Sequence, residues 1–303
     1  MCIRDRGTST GYSDLDKYLT GFHPSDYVVL AGRTSTGKTA FALSLAKNIA
    51  IECDDNERKG VAIFSLEMSV QQVVMRLLAS VARINAHHMR QGYLTTQELN
   101  QLRIKLDRIS SAPIYIDDTP NLTVMEMRTK ARRLARRHDI SVIIVDYLQL
   151  VMPSTRRSDS RQEDVASISR ALKALAREMS VTVIALAQLS RRVEEAGDKR
   201  PRLSHLRESG AIEQDADIVL LLYRPEVHNM ERAILKGKEF REDQLKGLSS
   251  LIIAKQRNGP IGEVLFAFDR ESISFKAYET MISEEDYADV SAAIDEYEDY
   301  SGP

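Results

Sequence analysis

Short apolar runs alternate along the chain with longer stretches whose apolar residues recur every three to four positions. Residues 27–31, 61–65, 114–116, 142–145, 181–186 and 218–222 are rich in β-branched side chains and apolar at successive positions. Strands of that kind belong inside a parallel sheet covered on both faces. Helical stretches fall between them. Ser69 with Gln72, Thr95 with Glu98 and Thr123 with Glu126 have capping-box spacing ahead of helices at 70–81, 99–109 and 124–137. A helix at 40–51 follows the first strand, and one at 164–179 carries Val165, Ile168, Leu172 and Leu175 on one face. The βαβα rhythm predicts an α/β fold, a mostly parallel central sheet with helices on both faces and right-handed crossovers. After about residue 245 the rhythm changes. Runs at 251–255, 264–268 and 273–275, separated by short turns, predict antiparallel strands added to one edge.

Composition adds a charge asymmetry. The 303 residues carry a net charge of -2, which argues against a nucleic-acid partner if taken whole. The last 27 residues, however, hold nine acidic side chains and no Lys or Arg. The first 276 then contain 42 basic against 35 acidic side chains, or +7. A basic body with an acidic end section fits an anionic partner for the body and a solvated or interacting tail. Two cysteines make no disulfide framework or metal cluster, and no apolar run approaches a membrane span. The default location is the cytoplasm, with no membrane partner.

The chemistry begins at Gly32-Arg33-Thr34-Ser35-Thr36-Gly37-Lys38-Thr39, a match to G-x-x-x-x-G-K-[ST] between a strand and a helix. The glycines let the loop wrap with its N–H groups inward, toward phosphate oxygens at a helix N-terminus. Lys38 is expected on the β- and γ-phosphates and the Thr39 hydroxyl on Mg²⁺, so ATP and Mg²⁺ are the implied ligands. A chance match occurs about once in a hundred chains of this length, and the strand–helix context lowers that further. Asp146 ends the apolar run at 142–145, at the carboxyl edge beside the loop, where it can orient a Mg²⁺-bound water. Glu67 and Gln188 follow two further strands in the same way. Glu67 is a candidate base for an attacking water. Spacing alone leaves an exposed loop acid and a loop amide as equally open readings.

Five blocks in order carry a resemblance: the phosphate loop at 32–39, Phe-Ser-Leu-Glu-Met at 64–68, Asp-Tyr-Leu-Gln-Leu at 146–150, the stretch at 206–217 that opens Leu-Arg-Glu-Ser-Gly, and Lys-Gln-Arg-Asn-Gly-Pro at 255–260. Over about residues 7–275 the chain resembles the C-terminal, RecA-like motor domain of bacterial replicative DNA helicases, the DnaB family. The resemblance implies an ATP-driven motor that translocates 5′ to 3′ on single-stranded DNA as a hexameric ring, with a helicase loader and primase as partners. It implies that Glu67 is the catalytic carboxylate and Asp146 the Mg²⁺-orienting aspartate. Gln188 looks like the glutamine that couples γ-phosphate to DNA-binding loops. Lys255 and Arg257 look like a basic finger offered to a neighbouring subunit's nucleotide. Arg207, Glu208 and Gly210 lie where the family contacts the single-strand backbone.

Two loops after strand ends, at 152–162 and 190–202, are basic and polar, and Arg191 and Arg192 are candidate DNA contacts. The dense arginines at 128–137 read instead as a solvated helix face. His205 stands where the family pattern has an acid; a charge gained there below about pH 6.5 would add pH dependence if it lies near DNA, but a harmless surface change is the preferred reading. The family's globular N-terminal domain has no counterpart, so the expected layout is a residual linker at 1–15, a motor domain at 16–276 and an acidic tail at 277–303. The alternative from another class is a RecA-like scaffold that uses ATP to gate DNA binding or signalling without unwinding.

Overall fold

The computed structural model describes residues 7–153, 160–195 and 197–278, with the backbone alone for residues 195 and 207–209. The acidic stretch from 279 onward, and Arg156 and Arg157, lie outside the described residues. The strands are β1 (Tyr27–Gly32), β2 (Gly60–Ser65), β3 (Ile114–Asp117), β4 (Ile140–Asp146), β5 (Thr182–Gln188), β6 (Ile218–Tyr223), β7 (Arg232–Leu235), β8 (Lys238–Arg241), β9 (Leu248–Gln256), β10 (Gly262–Asp269) and β11 (Ser274–Ala277). Nine of them form one sheet in the order β11-β10-β9-β6-β1-β5-β4-β2-β3. The stretch from β6 to β3 is parallel. β9, β10 and β11 extend it antiparallel beyond β6, the edge addition expected from the change of rhythm.

Burial of both faces follows from period-two alternation. In β1, Val28 and Leu30 belong to the same buried cluster as Phe41 and Leu45 of the helix Lys38–Ala50 and Val73 and Leu77 of the helix Val70–Ala82. Tyr27, Val29 and Ala31 belong to a second cluster, with Met127 and Leu172 of the helices Val124–Ala135 and Arg161–Met179. The three capping boxes form as the spacing requires, on Ser69, Thr95 and Thr123.

The central switch positions the site. The chain leaves β1 toward β2 on one side, and crosses from β5 over β1 to β6 on the other. Loops after β1 and β5 therefore diverge and open a crevice at the carboxyl edge. Asp146 ends β4 as the sequence indicated, while β5 runs further than its apolar pattern, so that Gln188 is its last residue rather than a loop residue. The β7–β8 hairpin was not legible, because its four-residue strands are mostly exposed and charged. The added strands also do more than extend the sheet. Phe266 and Phe275 each sit edge-on to Phe41, 5.2 Å between ring centroids, and so brace the helix that leaves the phosphate loop.

Candidate functional site

The phosphate loop joins the end of β1 to the helix that begins at Lys38. Gly37 has φ +95°, a conformation that favours glycine. A Cβ on Gly37 would stand 3.2 Å from the Phe275 ring, and one on Gly32 would stand 2.7 Å from the Thr36 hydroxyl. Thr36 is buried and donates to the Arg33 carbonyl at 2.7 Å, which closes the turn. The Lys38 ammonium donates to the carbonyls of Gly32 and Arg33 at 2.9 and 3.0 Å, across the mouth of the loop. Burial lowers the Lys38 pKa to about 8, against the pull of the Asp146 and Glu67 carboxylates. An ammonium held by two carbonyls in a half-buried loop is a receptor for an anion.

Asp146 is buried, and its carboxylate accepts from the Thr39 hydroxyl at 2.7 Å. Burial raises its pKa above the ordinary value, while the Thr39 bond acts the other way. Ser65 at the end of β2 lies in register with Asp146, so Glu67 falls just beyond that pair, exposed, with its charge acting on both Asp146 and Lys38. Gln188 lies in register with Gly32 and donates from Nε2 to the Thr34 hydroxyl at 2.8 Å. Lys38, Thr39, Asp146, Glu67 and Gln188, from four strand ends, thus meet at one crevice.

The donor set suits Mg²⁺ beside a polyphosphate. Thr39 and Asp146 supply hard oxygen atoms, and Mg²⁺ is held by one or two such groups plus substrate phosphates. Among the described residues no group of three or more His, Cys, Asp or Glu side chains gathers to hold a metal by itself.

Lys255 and Arg257 are not at this crevice. Gln256 pairs with Ile218, and Ile218 with Val28, so this pair stands at the amino edge of the parallel strands. The phosphate loop starts four residues further along β1, about 13 Å away along the strand direction. Within the chain, Lys255 donates to the carbonyls of Glu213 and Ala216 at 2.5 and 2.7 Å, and Arg257 to that of Gln214 at 2.7 Å. Both therefore grip the end of the short helix Gly210–Asp215.

The basic segment after β5 divides in two. Lys199 donates to the His228 carbonyl at 3.0 Å, Arg200 to the Ile234 carbonyl and Glu263, and Arg202 to Asp198. Lys199 and Arg200 are thereby committed to the body, while Arg202 is tied within its own segment. Arg191 and Arg192 are exposed and line a cleft of about 630 Å³ with Gln149, Arg161, Gln188 and His205. Gln149 was not singled out by sequence, because only the fold brings its amide to the Gln188 carbonyl, at 3.3 Å. Arg207 and Glu208 lie in the 3-10 turn Leu203–Ser209, their side chains outside the described residues, and Gly210 opens the next helix.

His205 faces its own turn rather than standing free. Its Nδ1 accepts from the Arg202 amide at 3.0 Å, and burial followed by the Arg202 charge lowers its pKa. The arginine-rich helix is partly tied down, since Arg128 and Arg132 both pair with Glu178 and Lys130 pairs with Asp117.

Three comparisons bear on this geometry. A model of the DnaB-like helicase C-terminal domain matches residues 7–277. The chain is 48% identical over 278 residues to the replicative DNA helicase DnaB of Geobacillus stearothermophilus, covering 92% of this chain and 58% of that one. It is 47% identical over 269 residues to the replicative DNA helicase DnaC of Bacillus subtilis, covering 89% and 56%. The chain therefore spans a little over half the length of these relatives. Among solved structures, one of an ATPase domain superposes with a TM-score of 0.80 at 38% identity, covering 89% of this chain and 91% of that one. A DnaB-like replicative helicase, described with its interactions with primase, matches at the same score and identity over 89% and 62%.

Proposed function

The chain belongs to the DnaB-like helicase C-terminal domain family, and we propose that it is the ATP-hydrolysing motor of a replicative DNA helicase that moves on single-stranded DNA as a hexameric ring. The carrying observation is the separation of its parts. The phosphate loop with Glu67, Asp146 and Gln188 lies at one edge of the sheet, and the Lys255/Arg257 pair at the other. A chain built this way cannot bring its own Arg257 to its own nucleotide. A neighbour set head to tail can supply it, and head-to-tail contacts that close make a ring.

In this reading the loop amides of Gly32, Thr34, Ser35, Thr36 and Gly37 cradle the phosphates, and Lys38 leaves its two carbonyls for the β- and γ-phosphate oxygens. Thr39, with Asp146 acting through a bound water, would hold Mg²⁺, which would supply positive charge to neutralise the phosphates. Glu67 accepts the proton of the attacking water as ATP becomes ADP and phosphate. Gln188, bonded to Thr34, senses whether the γ-phosphate is present. Arg257 and Lys255 of the neighbour face the charge that develops on transfer, a contribution of about 10³–10⁵ in rate for an arginine. Arg191, Arg192, Arg207, Glu208 and Gly210 track the DNA backbone. The motor comprises residues 16–276, works with a loader and primase, and acts in the cytoplasm. In support of that location, among the described residues no helix is long and apolar enough to cross a membrane.

ATP turnover with and without single-stranded DNA, for wild type and Lys38→Ala, tests the site. Turnover that survives Lys38→Ala overturns it. Sedimentation with a non-hydrolysable ATP analogue tests the ring, and a chain that stays monomeric overturns the shared site. Strand separation on a forked duplex discriminates the helicase from an ATP-gated scaffold.

A further inference from the structure

We propose that Arg33 and Glu194 form a latch, with Arg33 as a positioning residue that ties occupancy of the phosphate loop to the seating of the Arg191/Arg192 segment. What that segment touches rests on the function proposed above; the latch itself rests on geometry within the chain.

Arg33 is the second residue of the phosphate loop, a cation where a polyanion is expected to sit. Its guanidinium nevertheless turns away from the loop. Nε and Nη2 donate to one carboxylate oxygen of Glu194 at 2.9 and 2.5 Å, and Nη1 donates to the Leu189 carbonyl at 2.9 Å. The side chain is only 10% exposed, so this fork is held in one geometry. The main chain of the same residue faces the loop, where its carbonyl accepts from Lys38 at 3.0 Å and Thr36 at 2.7 Å. One residue therefore joins the ammonium that receives phosphate to the root of the segment after β5.

The other half of the latch is one short element. Glu194 sits in the short helix Arg192–Glu195. Val193 is buried in the core below it, while Arg191 and Arg192 stand exposed above. The root is pinned to the loop a second time, by the Leu189 amide on the Gly32 carbonyl at 3.2 Å. Gly32 and Arg33 are the two carbonyls that hold Lys38. When phosphate draws Lys38 away, both carbonyls lose a charged donor, and both are bonded through one residue to the segment carrying Arg191 and Arg192. The partners of Arg33 also exclude the simpler role of a second phosphate cation, because its charge is already matched by Glu194.

The test is hydrogen exchange on the full chain with and without ADP and Mg²⁺, read at amides 189–195. Wild type is expected to change its exchange there on binding. Glu194→Ala and Arg33→Ala should each lose most of that change, and the double variant should lose no more than either single one. Glu194→Ala should still bind ADP within about threefold of wild type. Arg33→Lys, which keeps the charge without the fork, should recover only part of the change. The latch is refuted if wild type shows no change at 189–195, if both single variants keep it, or if Arg33→Ala loses ADP binding as Lys38→Ala does. DNA stimulation of turnover, measured in parallel, addresses the other reading. Its absence in wild type sinks the motor function and leaves the exchange result to decide the latch.

Discussion

Arg257→Ala is expected to abolish turnover without unfolding the chain, and to be rescued by a partner that is itself inactive. Arg257 is exposed, with one side-chain hydrogen bond to Gln214 O and a looser ion pair to Asp217 at 3.7 Å, so the loss to stability should be about 1–2 kcal/mol. The loss in rate should reach about 10³–10⁵, or roughly 4–7 kcal/mol of transition-state stabilisation, if the guanidinium faces transferring phosphate. Its place at the amino edge is about 13 Å along the strands from its own phosphate loop, so in the proposed ring a whole site would take Lys38 from one copy and Arg257 from the next. Equal amounts of Lys38→Ala and Arg257→Ala chains, mixed before assembly, pair an intact loop with an intact finger at about one interface in four. ATP turnover should then rise from near nothing to a measurable fraction of wild type, approaching a quarter if interfaces act independently. The assay is phosphate release across a series of mixing ratios, with a maximum expected near equal parts. A mixture no more active than either variant alone refutes the shared site. So does an Arg257→Ala chain that keeps wild-type turnover.

Three further outcomes follow from the packing and charges. Phe275→Ala removes a 1%-exposed ring that touches Phe41 and Phe268, and should cost about 3–5 kcal/mol in chemical denaturation while weakening ADP binding through the loosened loop helix. His228 is buried against Tyr223 and its pKa is lowered by that burial. The unfolded chain therefore binds this proton more readily. Stability present above about pH 6.5 should be lost as pH falls through the folded value, and His228→Gln should flatten this loss between denaturation curves at pH 7 and pH 5.5. Arg191→Ala and Arg192→Ala should each lower the salt slope of single-strand binding by about one counterion, while Arg133→Ala on the solvated helix face should leave it unchanged.

The phosphate loop was readable because its chemistry is local. Two glycines, a lysine and a threonine within eight positions suffice, since the ligand is bound largely by consecutive backbone groups. The capping boxes at Ser69, Thr95 and Thr123 were readable for the same reason, as each is closed by residues three apart. Residues 232–241 gave no such signal. Their strands pair with each other while their outward positions meet water, so period and polarity blur. Lys199, Arg200 and Arg202 look as available as Arg191 and Arg192 in a string of letters. Their partners are His228, Ile234, Glu263 and Asp198, and the furthest, Glu263, is 63 residues from Arg200.

By itself the amino-acid order determined the repeating strand and helix pattern, the phosphate-binding turn, and the carboxyl-edge location of Asp146, Glu67 and Gln188. Each depends on periodicity or on a short run of neighbours. Tertiary structure alone decided which cations are spent inside the chain, that Phe275 closes over Gly37, that Arg33 faces Glu194 rather than the loop, and that Lys255 and Arg257 stand at the edge opposite the nucleotide crevice. The physical reason is the order of the sheet. Strand neighbours are chosen by how buried faces pack across the whole domain, so residues far apart in the chain become partners, and residues that look equivalent in the chain do not.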